Sequence, residues 1–437
     1  MSTGGAIGLV EPGGDGAGAV GREGHRRPNA RHASAGEGDA VGLLRASGES
    51  TGLRPYGAPA AGGGVRRGLV LGGGGVLGFA WMVGALRALE DEERFDVRDV
   101  EVCVGTSAGS ILAALIGMGV GTDAILRHQQ GIPLPADPRI DWDHDTRTGG
   151  ALPPLPTFGF GSPHLLRHVA RHPRRVPPLV VASALVPRGR GTLKPVRRMI
   201  DGLASALLVD RPTPATDGAG GIRGAGDVGG AGDVGGAGSI WAAGGAKGTV
   251  SAGRPWPRQP QTWIVAMDYS AGRRVVFGRA GAPPASISDA VQSSCAIPGW
   301  YPPVVIDGQS YVDGGTCSPA SVDVLADADL DEVWVLAPMV SFAVDRPRSP
   351  VARVERRFRR AATRRVLAEA VRVRESGTAV TLLGPGPDDL DVMGANLMDP
   401  RRRNEVLATS LRTSAAALRR EGPGVQLVIA PSERAAQ

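Results

Sequence analysis

Apolar residues in this chain gather in short runs separated by glycine-rich turns, and their spacing alternates between strand-like and helix-like. The clearest case spans Leu69 to Leu115. A short apolar run from Gly68 to Leu71 leads into Gly72-Gly73-Gly74-Gly75-Val76-Leu77-Gly78, and a helical pattern follows from Phe79 to Leu89. Strand-like Val100 to Val104 then leads into Gly105-Thr106-Ser107-Ala108-Gly109, which is followed by helix-like Ser110 to Leu115. This βαβα order predicts an α/β fold with a mainly parallel sheet, and it puts both turns at strand ends. Gly68 to Leu86 and Val102 to Gly121 are uncharged and have the length of membrane spans, but a glycine-rich turn interrupts each, so buried core is expected.

Further along, strands are expected at Trp263 to Met267, Val333 to Leu336 and Val380 to Leu383. Arg274 to Phe277 should form a hairpin with the first of these, and Val304 to Ile306 and Ser310 to Val312 should flank an Asp307-Gly308 turn. Helices are expected at Leu165 to Val169, Val196 to Leu208 and Ser288 to Ser294; the span from Asp123 to Leu208 reads as a cap. Residues 351–375 hold nine Arg against three Glu, with Val354, Phe358, Ala361, Ala362, Val366 and Ala370 at helical spacing. That is a basic amphipathic helix, read either as an ordinary solvated surface helix or as a contact with an anionic membrane surface.

Two regions lack such patterning. Residues 1–65 are rich in Gly, Ala, Arg and Glu without an apolar period and are expected to be a disordered head; residues 66–437 form the expected catalytic domain. Within it, 211–261 carries the repeat Gly-Ala-Gly-Asp-Val-Gly in a Gly/Ala tract and is expected to be a flexible insertion.

Composition narrows the partners. A net charge of +6 suits anionic lipid or nucleic acid, but aromatics are only 4% and no basic run is interleaved with them, so nucleic-acid binding is not expected. Cys103, Cys295 and Cys317 form no spaced pair, and residues 1–14 show neither a basic n-region nor a continuous apolar stretch; a cytoplasmic chain is expected, at most peripheral to a membrane.

The chemistry is sought at the two turns. Gly105-Thr106-Ser107-Ala108-Gly109 is a GxSxG pattern after a strand and before a helix, the context in which a serine is presented as a nucleophile. Such a serine needs a base and oxyanion donors. All seven histidines (His25, His32, His128, His144, His164, His168, His172) lie in the first 172 residues, so a triad ending in a late histidine has no candidate. Asp313, at a strand end before Gly314 and Gly315, is the best base, although Asp-Gly-Gly also reads as a type I′ hairpin turn. The amides of Gly73, Gly74 and Gly75 are taken as oxyanion donors. Gly73, Gly75 and Gly78 also match a dinucleotide-binding GxGxxG, but the acid that fold places at the end of its second strand is missing.

Together Gly72 to Gly78, the Gly105 to Gly109 box, Ala296-Ile297-Pro298-Gly299 and Asp313-Gly314-Gly315 resemble the patatin-like phospholipase family in order and spacing, over most of Arg66 to Leu336. The resemblance implies a three-layer α/β/α fold, a Ser107–Asp313 dyad, and hydrolysis of lipid acyl esters without metal or cofactor. The chain departs from the family at Leu77, where the loop usually carries Arg or Lys before its last glycine. That departure motivates a second expectation, a lipid-binding or regulatory protein of low turnover. Three weaker signals are set aside. His164, His168 and His172 recur every fourth residue without an HExxH; Asp141, Asp143 and Asp145 lack the glycine of a calcium loop, with Thr146 in its place; Cys295 and Cys317 read as packed residues.

Overall fold

β1 (Arg67–Leu71) alternates its side chains, with Leu69 and Leu71 on one face and Val70 on the other, all fully buried. A strand buried on both faces must be covered by two layers, and the chain supplies both. In the computed structural model, which describes residues 64–140, 153–172, 176–209, 256–257, 259–342, 350–419 and 425–429, the strands join one sheet in the order β5-β6-β3-β2-β1-β7-β8-β9, with β4 paired to β3. These are β2 (Val102–Thr106), β3 (Gln261–Asp268), β4 (Arg273–Phe277), β5 (Val304–Ile306), β6 (Gln309–Asp313), β7 (Glu332–Leu336), β8 (Ala379–Gly384) and β9 (Val425–Ile429). The centre is parallel, from β3 through β2, β1 and β7 to β8, and the β6 and β9 flanks are antiparallel.

One face carries α1 (Gly75–Glu93), α2 (Ala108–Gly117), α7 (Ile287–Cys295) and α10 (Arg403–Leu418) around Leu69, Leu71, Cys103 and Ile264. The other packs Val70, Val104, Val265 and Val335 against Val366, Ala370 and Val373 of α8 (Pro350–Glu375). This is the expected three-layer α/β/α arrangement around a mainly parallel sheet. Between the strands run α3 (Thr122–Gln130), α4 (Pro163–Arg171), α5 (Pro178–Leu185) and α6 (Lys194–Val209), with α9 (Pro387–Met393) before α10. α4 and α5 close a third apolar cluster on Met267, Tyr269 and Val312, where the Tyr269 hydroxyl donates to the Ser183 carbonyl at 2.6 Å. The expected cap therefore divides, because α3 joins the main core through Ala124 and Ile125 instead.

Expected elements recur with shifted ends. The glycine loop is shorter than its glycines imply: α1 begins at Gly75, inside the run. The six apolar positions of 351–375 do not share one environment, since Val366 and Ala370 lie in the core while Val354 and Phe358 are 53% and 62% exposed. The head to residue 63, nearly all of the 211–261 insertion, and Asp141, Asp143 and Asp145 lie outside the described residues. Among the described residues no helix is long and apolar enough to cross a membrane.

α1 and α10 approach most closely at Gly84, where a Cβ would meet the Leu411 amide nitrogen at 2.9 Å and the Leu407 carbonyl at 3.0 Å. Gly84→Ala is therefore expected to destabilise the chain by about 1–3 kcal/mol through overpacking. Gly202, in α6, has nothing within 4 Å of such a carbon. Gly202→Ala should stabilise by about 0.5–1 kcal/mol, and urea denaturation of both variants checks the contrast.

Candidate active site

β1 lies between β2 and β7, so the chain leaves it in opposite directions on its two sides, and the carboxyl ends of the strands there form a crevice. Gly72 to Gly75 and Ser107 meet in it. Ser107 links β2 to α2 with φ 53° and ψ −122°, a strained conformation for a residue with a Cβ. The strain is held on every side. Its N–H donates to Ser294 Oγ at 2.8 Å, and the Ser294 hydroxyl donates to the Val265 carbonyl at 2.6 Å. Its carbonyl accepts from the Ser110 hydroxyl at 2.6 Å and from the Cys295 thiol at 3.4 Å. The glycines of the box let the backbones close in, for a Cβ at Gly109 would lie 2.1 Å from the Leu71 carbonyl oxygen and one at Gly105 2.4 Å from that of Gly109.

Strand register brings in Asp313. Thr106 pairs with Val265 across β2 and β3, and Ala266 with Asp313 across β3 and β6. Two strand spacings, about 10 Å in all, thus separate the serine and aspartate backbones, and their side chains bridge the space. The Ser107 side chain lies close enough to the Asp313 carboxyl to pull its pKa down. Both are buried, at 7% and 5% exposure, and loss of water pushes the carboxyl up to about 6, against the opposing pull of Ser107 and the Gly315 N–H. The aspartate is fixed from both ends: its N–H donates to the Ala296 carbonyl at 3.0 Å, and its Oδ1 accepts from Gly315 N–H at 2.7 Å. Asp313-Gly314-Gly315 is a strand end running into a 3-10 turn over Gly314–Thr316, in place of a hairpin turn. Ala296-Ile297-Pro298-Gly299 owes its place in the motif set to the first of these bonds.

The glycine loop divides into braces and free donors. Gly72 N–H donates to Leu336, Gly73 N–H to Pro319 at 2.8 Å, and Leu77 N–H to Leu397 at 2.9 Å. Of the three amides expected as oxyanion donors, that of Gly73 is thus bonded to the Pro319 carbonyl in this structure. Among the described residues the amides of Gly74 and Gly75, at the start of α1, have no such acceptor, and Gly75 holds φ at +61°. The Leu77 side chain is fully buried in the main core, so its position here serves packing.

Three residues that matter to this geometry carried no signal in the sequence. Ser294 was visible only as a helix residue, Pro319 as a loop residue, and Glu369 as one acid in a basic helix. Glu369, 1% exposed, accepts from the Ser318 hydroxyl at 2.8 Å and the Val322 N–H at 3.1 Å, which ties α8 to the loop after Asp313. Burial pushes the Cys295 thiol up to about 12 and that of Cys317 to about 11, so neither is a thiolate near neutrality. The histidines expected on one helix face stand on α4 and its C-cap, away from this crevice, where His168 and His172 rings lie 5.1 Å apart.

The patatin-like phospholipase profile matches residues 69–326, more than half of the chain. The chain belongs to the patatin-like phospholipase family. As a member it carries a lipid-hydrolase function in general terms, with a lipid ester as substrate. Solved structures similar to this patatin-like chain include VipD from Legionella pneumophila, at 13% identity and a TM-score of 0.33, covering 90% of this chain and 74% of that one. The type III effector protein ExoU is similar at 19% identity and a TM-score of 0.32, with 86% of this chain covered. The match spans 56% of the ExoU chain.

Ser294→Ala is expected to leave the Ser107 N–H buried without an acceptor and to lower stability by about 1–3 kcal/mol. Chemical denaturation measures it, and Ser294→Thr, which restores the acceptor, should recover part of the loss.

Proposed function

We propose that this patatin-like chain hydrolyses acyl esters of lipids with Ser107 as nucleophile and Asp313 as its base. The observation that carries the reading is a buried Asp313 carboxyl, pushed up to about 6, beside the buried Ser107 side chain that pulls against that shift. An aspartate of ordinary acidity is a weak base toward a hydroxyl, and burial brings it closer to the working pH. Ser107 Oγ attacks the ester carbonyl and gives its proton to Asp313, while the Gly74 and Gly75 amides hold the oxyanion at the positive end of α1. Asp313 returns the proton to the departing alcohol. Water then gives a proton to Asp313 and attacks the acyl-serine, and the fatty acid leaves as Ser107 recovers its hydrogen.

Ser107→Ala and Asp313→Asn should each lower hydrolysis of p-nitrophenyl acyl esters by roughly 1000-fold or more. Wild-type activity retained in either variant would sink the mechanism. Because only the carboxylate accepts a proton, kcat/KM should rise about tenfold per pH unit below about 6 and level off above it. A profile falling through that range would contradict the assignment.

The same group shapes stability. A carboxyl raised above its unfolded value favours the folded state fully below pH 4, and this contribution fades as pH rises through about 6. Asp313→Asn escapes that loss, so the inactive variant should be more stable than wild type at pH 8, by on the order of 1–3 kcal/mol, in thermal denaturation.

A second reading, lipid binding with little turnover, is favoured by Leu77, which sends an apolar side chain into the core where the family usually has a cation. Labelling with a fluorophosphonate probe separates the two: an activated Ser107 is labelled and an idle one is not.

A further inference from the structure

Beside the glycine loop a groove of about 470 Å³ opens between the first turns of α8 and the segment after α9. Its walls are Met339, Val354, Phe358, Ala395 and Leu397, with Glu355 and Arg359 at the base. The charges at the base are answered within the chain, because the Arg359 guanidinium bonds Glu355 and donates to the Pro338 carbonyl at 2.6 Å. What remains toward the opening is apolar. Val354 and Phe358 are successive along one helix face and more than half exposed, whereas Val366, Ala370 and Val373 of the same helix are buried. A large apolar edge left open on a helix that buries Val366, Ala370 and Val373 marks a place where something binds.

Three observations say what binds. The groove shares its wall with the glycine loop: Leu397 accepts the Leu77 N–H at 2.9 Å, and a Cβ at Gly74 would meet Pro338 at 2.7 Å, one residue before Met339. On the solvent side of the Val354–Phe358 edge stand Arg353, Arg357 and Arg364, all exposed, a cationic border at helical spacing. The volume lies in the range of pockets for single small ligands, about 300–1000 Å³, which suits one acyl chain. We propose that this groove binds one long-chain fatty acid, its chain along Met339, Val354, Phe358 and Leu397 and its carboxylate at the arginine border. A fatty acid is the product of the hydrolysis proposed above, and the choice of ligand rests on that reading.

The test uses the full-length chain carrying Ser107→Ala, so that binding is read without turnover. Phe358→Trp places an indole in the groove, and a dibrominated stearic acid, kept below its aggregation concentration, serves as the quencher. Saturable quenching well above that of the same chain with Phe358 intact is expected. Adding Val354→Glu, at an exposed position, should weaken it roughly tenfold by putting a like charge at the mouth, and raising salt should weaken it as the arginine border is screened. Equal quenching with and without the introduced indole overturns the proposal, as does quenching indifferent to Val354→Glu. Quenching seen only with vesicles of brominated anionic phospholipid also overturns it, and assigns the edge to a membrane surface instead. Ester hydrolysis by the unsubstituted chain is measured in parallel: an inactive enzyme with saturable binding rejects the hydrolase reading alone, and an active enzyme without it rejects the groove alone.

Discussion

The start of α2 comes closer to the carboxyl end of β1 than side chains allow, and the site follows from that condition. α2 sets its second residue, Gly109, against the Leu71 carbonyl, where even a methyl group would lie 2.1 Å from the oxygen. The approach forces the strand-to-helix turn into the positive φ of Ser107, and a turn so strained persists only where its surroundings overdetermine it. Ser294, Ser110 and Cys295 supply those surroundings from two helices. The strained turn at Ser107 is therefore a packing result of the central sheet.

The same principle extends to the partner. Asp313 reaches Ser107 because β6 runs antiparallel to β3 in a register that pairs Ala266 with Asp313. A slip of one residue would turn the carboxylate to the opposite face of the sheet. Gly73 bonded to Pro319 and Glu369 bonded to Ser318 and Val322 then fasten the glycine loop, the aspartate loop and α8 to one another. The two halves of the site are thus joined by backbone and buried side-chain bonds as well as by the Ser107–Asp313 contact.

Legibility in the sequence followed the locality of the signal. The strand-turn-helix units around Gly72 to Gly78 and Gly105 to Gly109 were readable because glycines and apolar period lie within a few residues of each other. The late Asp-Gly-Gly and the want of a late histidine pointed to Asp313. Ser294 was not readable, because its partner lies 187 positions away and a helical serine has no distinguishing period. Nor could the loop show that Gly73 is engaged, since its acceptor is the carbonyl of Pro319. The apolar stripe of 351–375 misled for a related reason: one helical period holds through the whole segment, but the sheet under it ends, and only Val366, Ala370 and Val373 find core to enter. α10 and β9 escaped notice, and β9 closes the sheet at its β8 edge.

β3 opens at Gln261, which pairs with Val102 at the amino end of β2, and α6 closes at Val209 on the other side of the long Gly/Ala tract. Ser107 and Asp313 stand at the opposite end of these strands. Natural or engineered change in the length of that tract therefore enters the sheet at the end away from Ser107 and Asp313. The described ends that the tract joins, α6 and the start of β3, are therefore what receive any inserted sequence. An epitope, a fluorescent reporter or a whole folded module grafted there leaves the strand register that aligns serine and aspartate untouched.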